Sequence, residues 1–130
     1  MLYFSPMDRH FYDAPKCFLL AAEVLDTKCA LSNAERLLRE RDRAGVSVAL
    51  REVAKRGAKL ARLCPDAARS ARKLRDEAVE ISKIARVTPK NPVSESRLSV
   101  QIGHLYAHLQ EVYDSSKRRC RVLRVSRTAP

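Results

Sequence analysis

The clearest pattern in the sequence is a helical repeat of apolar residues between Ser47 and Val87. Apolar side chains recur there every three or four positions, the spacing that places them along one face of an α-helix. Pro65 interrupts the repeat, so the pattern allows either one kinked helix or two helices, the second starting at Pro65. The apolar positions are Leu50, Val53, Leu60, Cys64, Ala67, Ala71, Leu74, Ala78, Ile81 and Ala85.

Weaker signals predict helices before this segment. Pro15 can open a helix that carries apolar residues on one face. Residues 32–35, Ser-Asn-Ala-Glu, have the form of a capping box. We therefore expect a new or continuing helix from there, and we expect it to stop at Gly45.

The end of the chain predicts one more helix and a basic arm. After the helix-breaking residues 88–92, Ser94 or Ser96 is expected to cap a last helix. The expected fold is all-α, a bundle of four to five helices that includes long amphipathic ones. Residues 1–114 are predicted to form one helical domain, and residues 115–130 a frayed helix end or a disordered arm. Because so short a chain offers little surface to cover a long Ala-rich helix face, we expect a homodimer.

Composition adds a strong positive charge to this picture. The 130-residue chain carries a formal net charge of +11 at pH 7, and a field of this sign favours polyanionic partners. The excess is confined to two segments. Residues 46–75 contain nine basic and two acidic residues, and residues 115–130 contain six basic and no acidic residues.

On one continuous helix, at about 100° per residue, the basic residues of the first segment lie opposite the apolar face. Like charges at Arg51 and Lys55 repel each other, a cost that a bound anion would remove. On a straight helix Arg51 and Lys73 are about 33 Å apart, enough to reach across about one turn of a duplex. The predicted phosphate-binding residues are Arg51, Lys55, Lys59, Arg62, Arg69, Arg72 and Lys73, with Lys117, Arg118, Arg119 and Arg121 in the arm.

The make-up of this surface favours a nucleic-acid duplex as the ligand. Arg and Lys without neighbouring Asn or Gln hold phosphates and distinguish sequences poorly. The chain contains no Trp, which disfavours stacking on single strands. A membrane is disfavoured because the apolar face consists mainly of Ala, Cys and single Leu residues rather than Trp and Phe.

In order along the chain come an Asp13-Ala14-Pro15 helix start, a long basic helical segment up to residue 87, and a break at Pro89 and Pro92. This layout resembles that of the small helical RNA-silencing suppressors of insect nodaviruses. The resemblance implies long antiparallel helices, paired in a dimer, that lie along double-stranded RNA. It therefore favours an RNA duplex over a DNA duplex and implies suppression of RNA silencing.

Other functions remain open at this point. The charge also suits a protein–protein interaction module, such as an inhibitor or an assembly subunit, that docks on an acidic protein surface. A DNA-duplex-binding protein is a further alternative. The basic run at residues 117–121 could serve as a nuclear import signal instead of binding phosphates.

Motifs of catalysis are lacking in the sequence. It contains no Gly-rich phosphate loop and no Gly-x-Ser-x-Gly elbow, so we expect no enzyme activity, cofactor or small-molecule substrate. His104, His108 and Glu111 have a spacing that could hold a metal on one helix face. No Glu follows His104 directly, as the zinc-protease motif requires, so we expect a polar helix face and no metal.

The cysteines are widely spaced and form no Cys-x-x-Cys pair. This spacing is typical of neither a zinc site nor a disulfide scaffold, so we expect buried free thiols in a reducing compartment. The start of the chain lacks the basic and apolar regions of a signal peptide, so the expected location is intracellular, in the cytoplasm or the nucleus. The four cysteines are Cys17, Cys29, Cys64 and Cys120.

Overall fold

The computed structural model describes residues 11–120, which form four α-helices. These are α1 (Ala14–Arg39), α2 (Arg43–Leu63), α3 (Ala68–Val87) and α4 (Pro92–Arg119). The described residues contain no β-strand. The prediction of an all-α bundle with long helices is therefore confirmed.

Three of the helices begin at a side chain that accepts a hydrogen bond from the backbone N–H group three residues later. The capping residues are Asp13 for α1, Asp42 for α2 and Asn91 for α4, with donor–acceptor distances of 2.8–2.9 Å. Short carboxylate and amide side chains suit this position because they satisfy backbone donors that lack a partner within the helix. These caps determine where the chain changes direction.

Some helix boundaries differ from the prediction. The first helix does not stop at Gly45, which lies inside the first turn of α2; the chain turns at Arg41, in the left-handed conformation with a φ of 60°. Neither Ser94 nor Ser96 caps the last helix, because both lie inside α4. Residues 32–35 lie within α1, so the continuing helix is the correct alternative.

Pro65 splits the basic helical segment into two antiparallel helices. α2 ends at Leu63, and Cys64 and a short 3-10 turn over Pro65–Ala67 lead into α3. Proline has no backbone N–H group and its ring clashes with the preceding turn, so a continuous helix is disfavoured there. The span of about 33 Å between Arg51 and Lys73, which needs one straight helix, is therefore wrong.

The four helices form a bundle in which each is antiparallel to the one before it. α1 packs against α2 and α4, and α3 packs against the same two helices. The α2–α3 contact is especially close at Gly57, which faces the backbone of Ala71 and Arg75. All four helices contribute fully buried side chains, the largest being Leu20, Leu31, Leu50, Leu60, Leu74, Leu98, Ile102 and Leu105.

A buried arginine fastens one end of the bundle. Arg43, at the start of α2, is only 5% exposed. Its guanidinium donates to the backbone oxygens of Thr88 and Pro89, at 3.4 and 3.1 Å, and lies 3.4 Å from Glu95 Oε1. A charge is tolerated at such a site only with partners of this kind. Arg43 thus joins α2 to the α3–α4 connection.

A disulfide bond fastens the opposite end. It joins Cys17, in the first turn of α1, to Cys120, which follows α4. The expectation of free thiols is therefore wrong for these two residues, whose 103-residue separation gave no sequence signal. Cys64 is free and buried as expected, whereas Cys29 is free but exposed.

The first part of the expected basic arm is helical. α4 continues to Arg119, so residues 115–119 belong to the bundle. Arg121 and the rest of the arm lie outside the described residues. Within residues 11–120, no helix has the length and apolar character needed to cross a bilayer.

We expect Gly57→Ala to destabilise the protein, although alanine normally favours a helix. A Cβ atom at position 57 would lie 3.1 Å from both the Ala71 oxygen and the Arg75 nitrogen of the backbone. Overpacking costs about 1–3 kcal/mol, against a gain of about 1 kcal/mol in helix propensity. The expected net loss in the free energy of unfolding, measured with urea, is about 1 kcal/mol.

Gly103→Ala is the matched control. Gly103 lies inside α4, and a Cβ atom there would meet nothing within 4 Å. This variant should gain up to about 1 kcal/mol from helix propensity. Equal gains in both variants would contradict the close contact at Gly57.

Reduction of the Cys17–Cys120 disulfide should lower the free energy of unfolding by about 2–4 kcal/mol, because the bond restricts the unfolded chain. Urea unfolding with and without a dithiol reductant measures the effect. The Cys29→Ser variant should respond to the reductant as the wild type does, and the Cys17→Ser/Cys120→Ser variant should not respond. A wild type whose stability does not change on reduction would contradict the tethering role.

Candidate nucleic-acid interface

The outer side of α2 carries a row of exposed cations. Arg51, Lys55 and Arg62 follow one another at spacings of four and seven residues, so they point in similar directions from the helix axis. All three are exposed, whereas Leu50, Val53 and Leu60 point into the core. Because the apolar face of α2 packs into the core, this row of cations points towards solvent.

The first half of α3 presents three more exposed cations, Arg69, Arg72 and Lys73. Because Gly57 of α2 faces residues 71–75 of α3, the antiparallel register sets the second half of α2 beside the first half of α3. None of these cations has a hydrogen-bond or ion-pair partner within residues 11–120. We call the six residues of the two helices the basic face: Arg51, Lys55, Arg62, Arg69, Arg72 and Lys73.

Lys59, a predicted phosphate contact, has a different position. Its ammonium nitrogen lies 2.7 Å from Glu23 Oε1, and the other oxygen of this carboxylate lies 3.3 Å from Arg56 Nη1. The Glu23 side chain is only 7% exposed. Lys59 therefore belongs to the α1–α2 interface, where it neutralises a buried carboxylate.

The basic end of α4 lies beside the turn between α2 and α3. The Arg119 side chain forms an ion pair with Asp66 of that turn, and its backbone oxygen accepts a 2.8 Å hydrogen bond from the Tyr12 N–H group. Arg118 is exposed and donates to the hydroxyl of Ser115. The two basic segments of the sequence thus meet at one end of the bundle, next to Arg62 and Arg69.

Aromatic rings hold two further cations at this end. The ammonium nitrogens of Lys117 and Lys16 lie 4.8 and 4.0 Å from the ring centres of Tyr113 and Tyr12. Lys16 was not among the predicted phosphate-binding residues, because basic and acidic residues are equal in number in the part of the sequence that contains it. It nevertheless adds to the positive charge beside Arg119.

Tyr12 helps to keep this end in place. Its hydroxyl lies 4.0 Å from the buried sulfur of Cys64. Burial, foremost, and the neighbouring Cys64 and Asp66 raise its pKa to about 12. The hydroxyl is therefore neutral at physiological pH and does not reduce the positive charge around it.

Two of the three residues considered for a metal site, His108 and Glu111, join α4 to α3. His108 Nε2 lies 2.9 Å from Glu77 Oε2 of α3, and Glu111 accepts a 2.6 Å hydrogen bond from the Ser70 hydroxyl. Within residues 11–120 no three His, Cys, Asp or Glu side chains are grouped so as to hold a metal ion. His104, which lies one turn before His108, is exposed.

The ion pairs of Glu23 provide a stability test. Glu23→Gln removes the charge that compensates Lys59 and Arg56, so we expect a loss of about 1–3 kcal/mol in the free energy of unfolding. Asp26→Asn is the control, because Asp26 also pairs with Arg56 but is 53% exposed. The control should lose less than about 0.5 kcal/mol. Equal losses in thermal or urea unfolding would contradict the structural role of Glu23.

Comparisons of the chain with protein-family models, with curated proteins and with solved structures find no match. The charge and geometry of the basic face are therefore the grounds for a proposal about function.

Proposed function

We propose that the protein binds duplex nucleic acid without sequence preference, through phosphate contacts of the basic face. The observation that carries this proposal is the set of six exposed cations, on two adjacent antiparallel helices, that have no acidic partner in the described part of the chain. Exposed helix surfaces usually mix signs because opposite charges stabilise one another. A phosphate backbone would supply the missing opposite charge.

The size of the surface suits a duplex. Arg51 and Arg62 are separated along the axis of α2 by about 17 Å, a length over which a duplex carries about ten phosphate charges. The first half of α3 widens the surface beside α2. Several phosphates could therefore be contacted at once by rigid helices.

The chemistry of the surface supports binding that ignores sequence. All six residues of the basic face are Arg or Lys, with no Asn or Gln among them. Such side chains contact phosphates and do not by themselves read base edges. We propose RNA as the preferred duplex, on the basis of the layout shared with nodavirus suppressors, and suppression of RNA silencing as the corresponding cellular role.

The end of α4 extends the proposed interface. Arg118 is exposed beside the α2–α3 turn, and Lys117 is close by on the Tyr113 ring. Arg121 continues the basic run into the residues that are not described. Arg119 is already paired with Asp66, so its proposed role is to position the others.

The proposal is confined to binding and includes no catalysis, metal, cofactor, small-molecule substrate or membrane. We propose an intracellular location, where the protein would meet duplex RNA. Since Cys17 and Cys120 form a disulfide, the cysteines do not support that location. Docking of the basic face on an acidic protein surface is the competing function.

We expect Arg62→Gln/Arg69→Gln to weaken duplex binding equally for different sequences. Losing two phosphate contacts should reduce the slope of log affinity against log salt concentration by about 2. Fluorescence anisotropy would measure binding to RNA duplex, DNA duplex and single-stranded RNA of matched length, each across a salt series. The wild type should prefer the RNA duplex.

The double variant Arg36→Gln/Arg39→Gln is the matched control. It removes the same charge from the opposite end of the bundle, at the end of α1, and should leave the salt slope nearly unchanged. Equal effects of the two double variants would show a response to net charge only and contradict the proposed face. Weak binding of the wild type to all three nucleic acids would instead favour an acidic protein partner.

A further inference from the structure

Part of one side of the bundle has few charged residues, although 32% of the chain is charged. α4 contains no Asp, Glu, Lys or Arg from residue 98 to residue 110, and α1 contains none in residues 17–22 and 29–34. α1 and α4 are neighbours in the bundle. Their outer side, excluding the end at Glu35, Arg39 and Glu95, lies opposite the basic face of α2 and α3, and we call it the α1–α4 face.

An exposed apolar ridge runs along α1 on this face. Phe18, Ala22, Leu25 and Cys29 follow at spacings of four, three and four residues, so they form one line along the helix. Phe18 and Leu25 are 58% and 60% exposed, and residues on the other side of α1 supply the core. A continuous apolar ridge of this kind is typical of an interaction surface.

A groove lies beside the ridge, between α1 and α4. It encloses about 440 Å³ and is lined mainly by apolar and aromatic side chains, among them Val24, Leu25, Tyr106, Leu109 and Tyr113. Burial, foremost, and its interaction with Glu35 raise the pKa of Tyr106 well above the usual tyrosine value. Tyr106 is therefore neutral, and within residues 11–120 Lys28 is the one charged residue that lines the groove.

We propose that the α1–α4 face binds a second copy of the chain, so that the apolar ridge of each copy packs into the groove of the other. A two-fold dimer requires a surface that is complementary to itself. Here a ridge and a groove of matching chemistry lie side by side on one face. The sequence predicted a dimer that would cover the Ala-rich helix face, but Ala71, Ala78 and Ala85 of that face are buried within the bundle. The α1–α4 face is a different surface, and this inference does not depend on nucleic-acid binding.

Charge favours a second copy over an acidic protein at this face. Two chains of charge +11 repel each other least when they meet through the side with the fewest charges, because their basic faces then point away from each other. An acidic partner would be drawn instead to the basic face. Depletion of charged residues is also what distinguishes the centre of an interface from the rest of a surface.

The size of the face is adequate for a dimer. Residues 18–34 of α1 extend over about 24 Å, and two helices side by side are about 20 Å wide. The product, about 480 Å² in projection, is smaller than the accessible area of so ridged a surface. It is of the same order as the roughly 800 Å² that each partner contributes to a stable interface.

The test is the oligomeric state of the full chain without nucleic acid, measured by sedimentation equilibrium over a range of concentrations. We expect the wild type to have twice the mass of one chain and Leu25→Glu to have the mass of one chain. Val87→Glu, which places the same charge at an 83% exposed aliphatic position at the end of α3, should remain a dimer. Circular dichroism would confirm that each variant is folded.

Cys29 provides a second readout on the same proteins. It is the one exposed thiol of the four cysteines, because Cys17 and Cys120 are bridged and Cys64 is buried. Its reaction with a thiol reagent should be slow in the wild-type dimer and fast in Leu25→Glu. A monomeric wild type, which would leave the face to a different partner, or a folded Leu25→Glu that remains a dimer would overturn the proposal.

Discussion

The arrangement of the molecule depends on the close contact between α2 and α3 at Gly57. Because Gly57 has no side chain, the backbone of Ala71 and Arg75 can approach it closely. A Cβ atom at this position would lie only 3.1 Å from the Ala71 oxygen and the Arg75 nitrogen. The reversal at Pro65 directs α3 back along α2, and the contact at Gly57 sets their register. This contact is what places cations from two stretches of sequence on one surface, since their sequence spacing alone would spread them along one long helix.

The sequence predicted the fold class well because helical periodicity is a local property that the core then uses directly. The sequence did not show whether the chain kinks or reverses at Pro65, because both outcomes fit the same apolar pattern until the packing of the neighbouring helices is known. The solvent exposure of Arg51, Lys55 and Arg62 followed from their positions opposite the apolar stripe. The role of Lys59 did not, because Glu23, its partner, lies 36 residues away. The Cys17–Cys120 disulfide, over a still longer separation, was unpredictable for the same reason.

Some of the basic residues join parts of the bundle through ion pairs and hydrogen bonds, and others form the exposed basic face. Arg43 holds the α3–α4 connection at one end, Lys59 and Arg56 neutralise Glu23 between α1 and α2, and Arg119 pairs with Asp66 at the other end. Each of these cations has at least one acceptor in a buried or half-buried position. The cations of the basic face have no such partner within residues 11–120. Their mutual repulsion is therefore a cost that a bound polyanion would relieve.

The two sides of the bundle differ in charge. Arg and Lys are concentrated on the outer sides of α2 and α3, whereas the other side contains uncharged stretches of α1 and α4, at residues 17–22, 29–34 and 98–110. If both proposals hold, a dimer joined through the α1–α4 faces presents its basic faces in opposite directions. One duplex could then be held by each face, and a dimer would link two duplexes instead of clasping one. The bundle would act as a spacer whose thickness determines how near the two phosphate backbones can come.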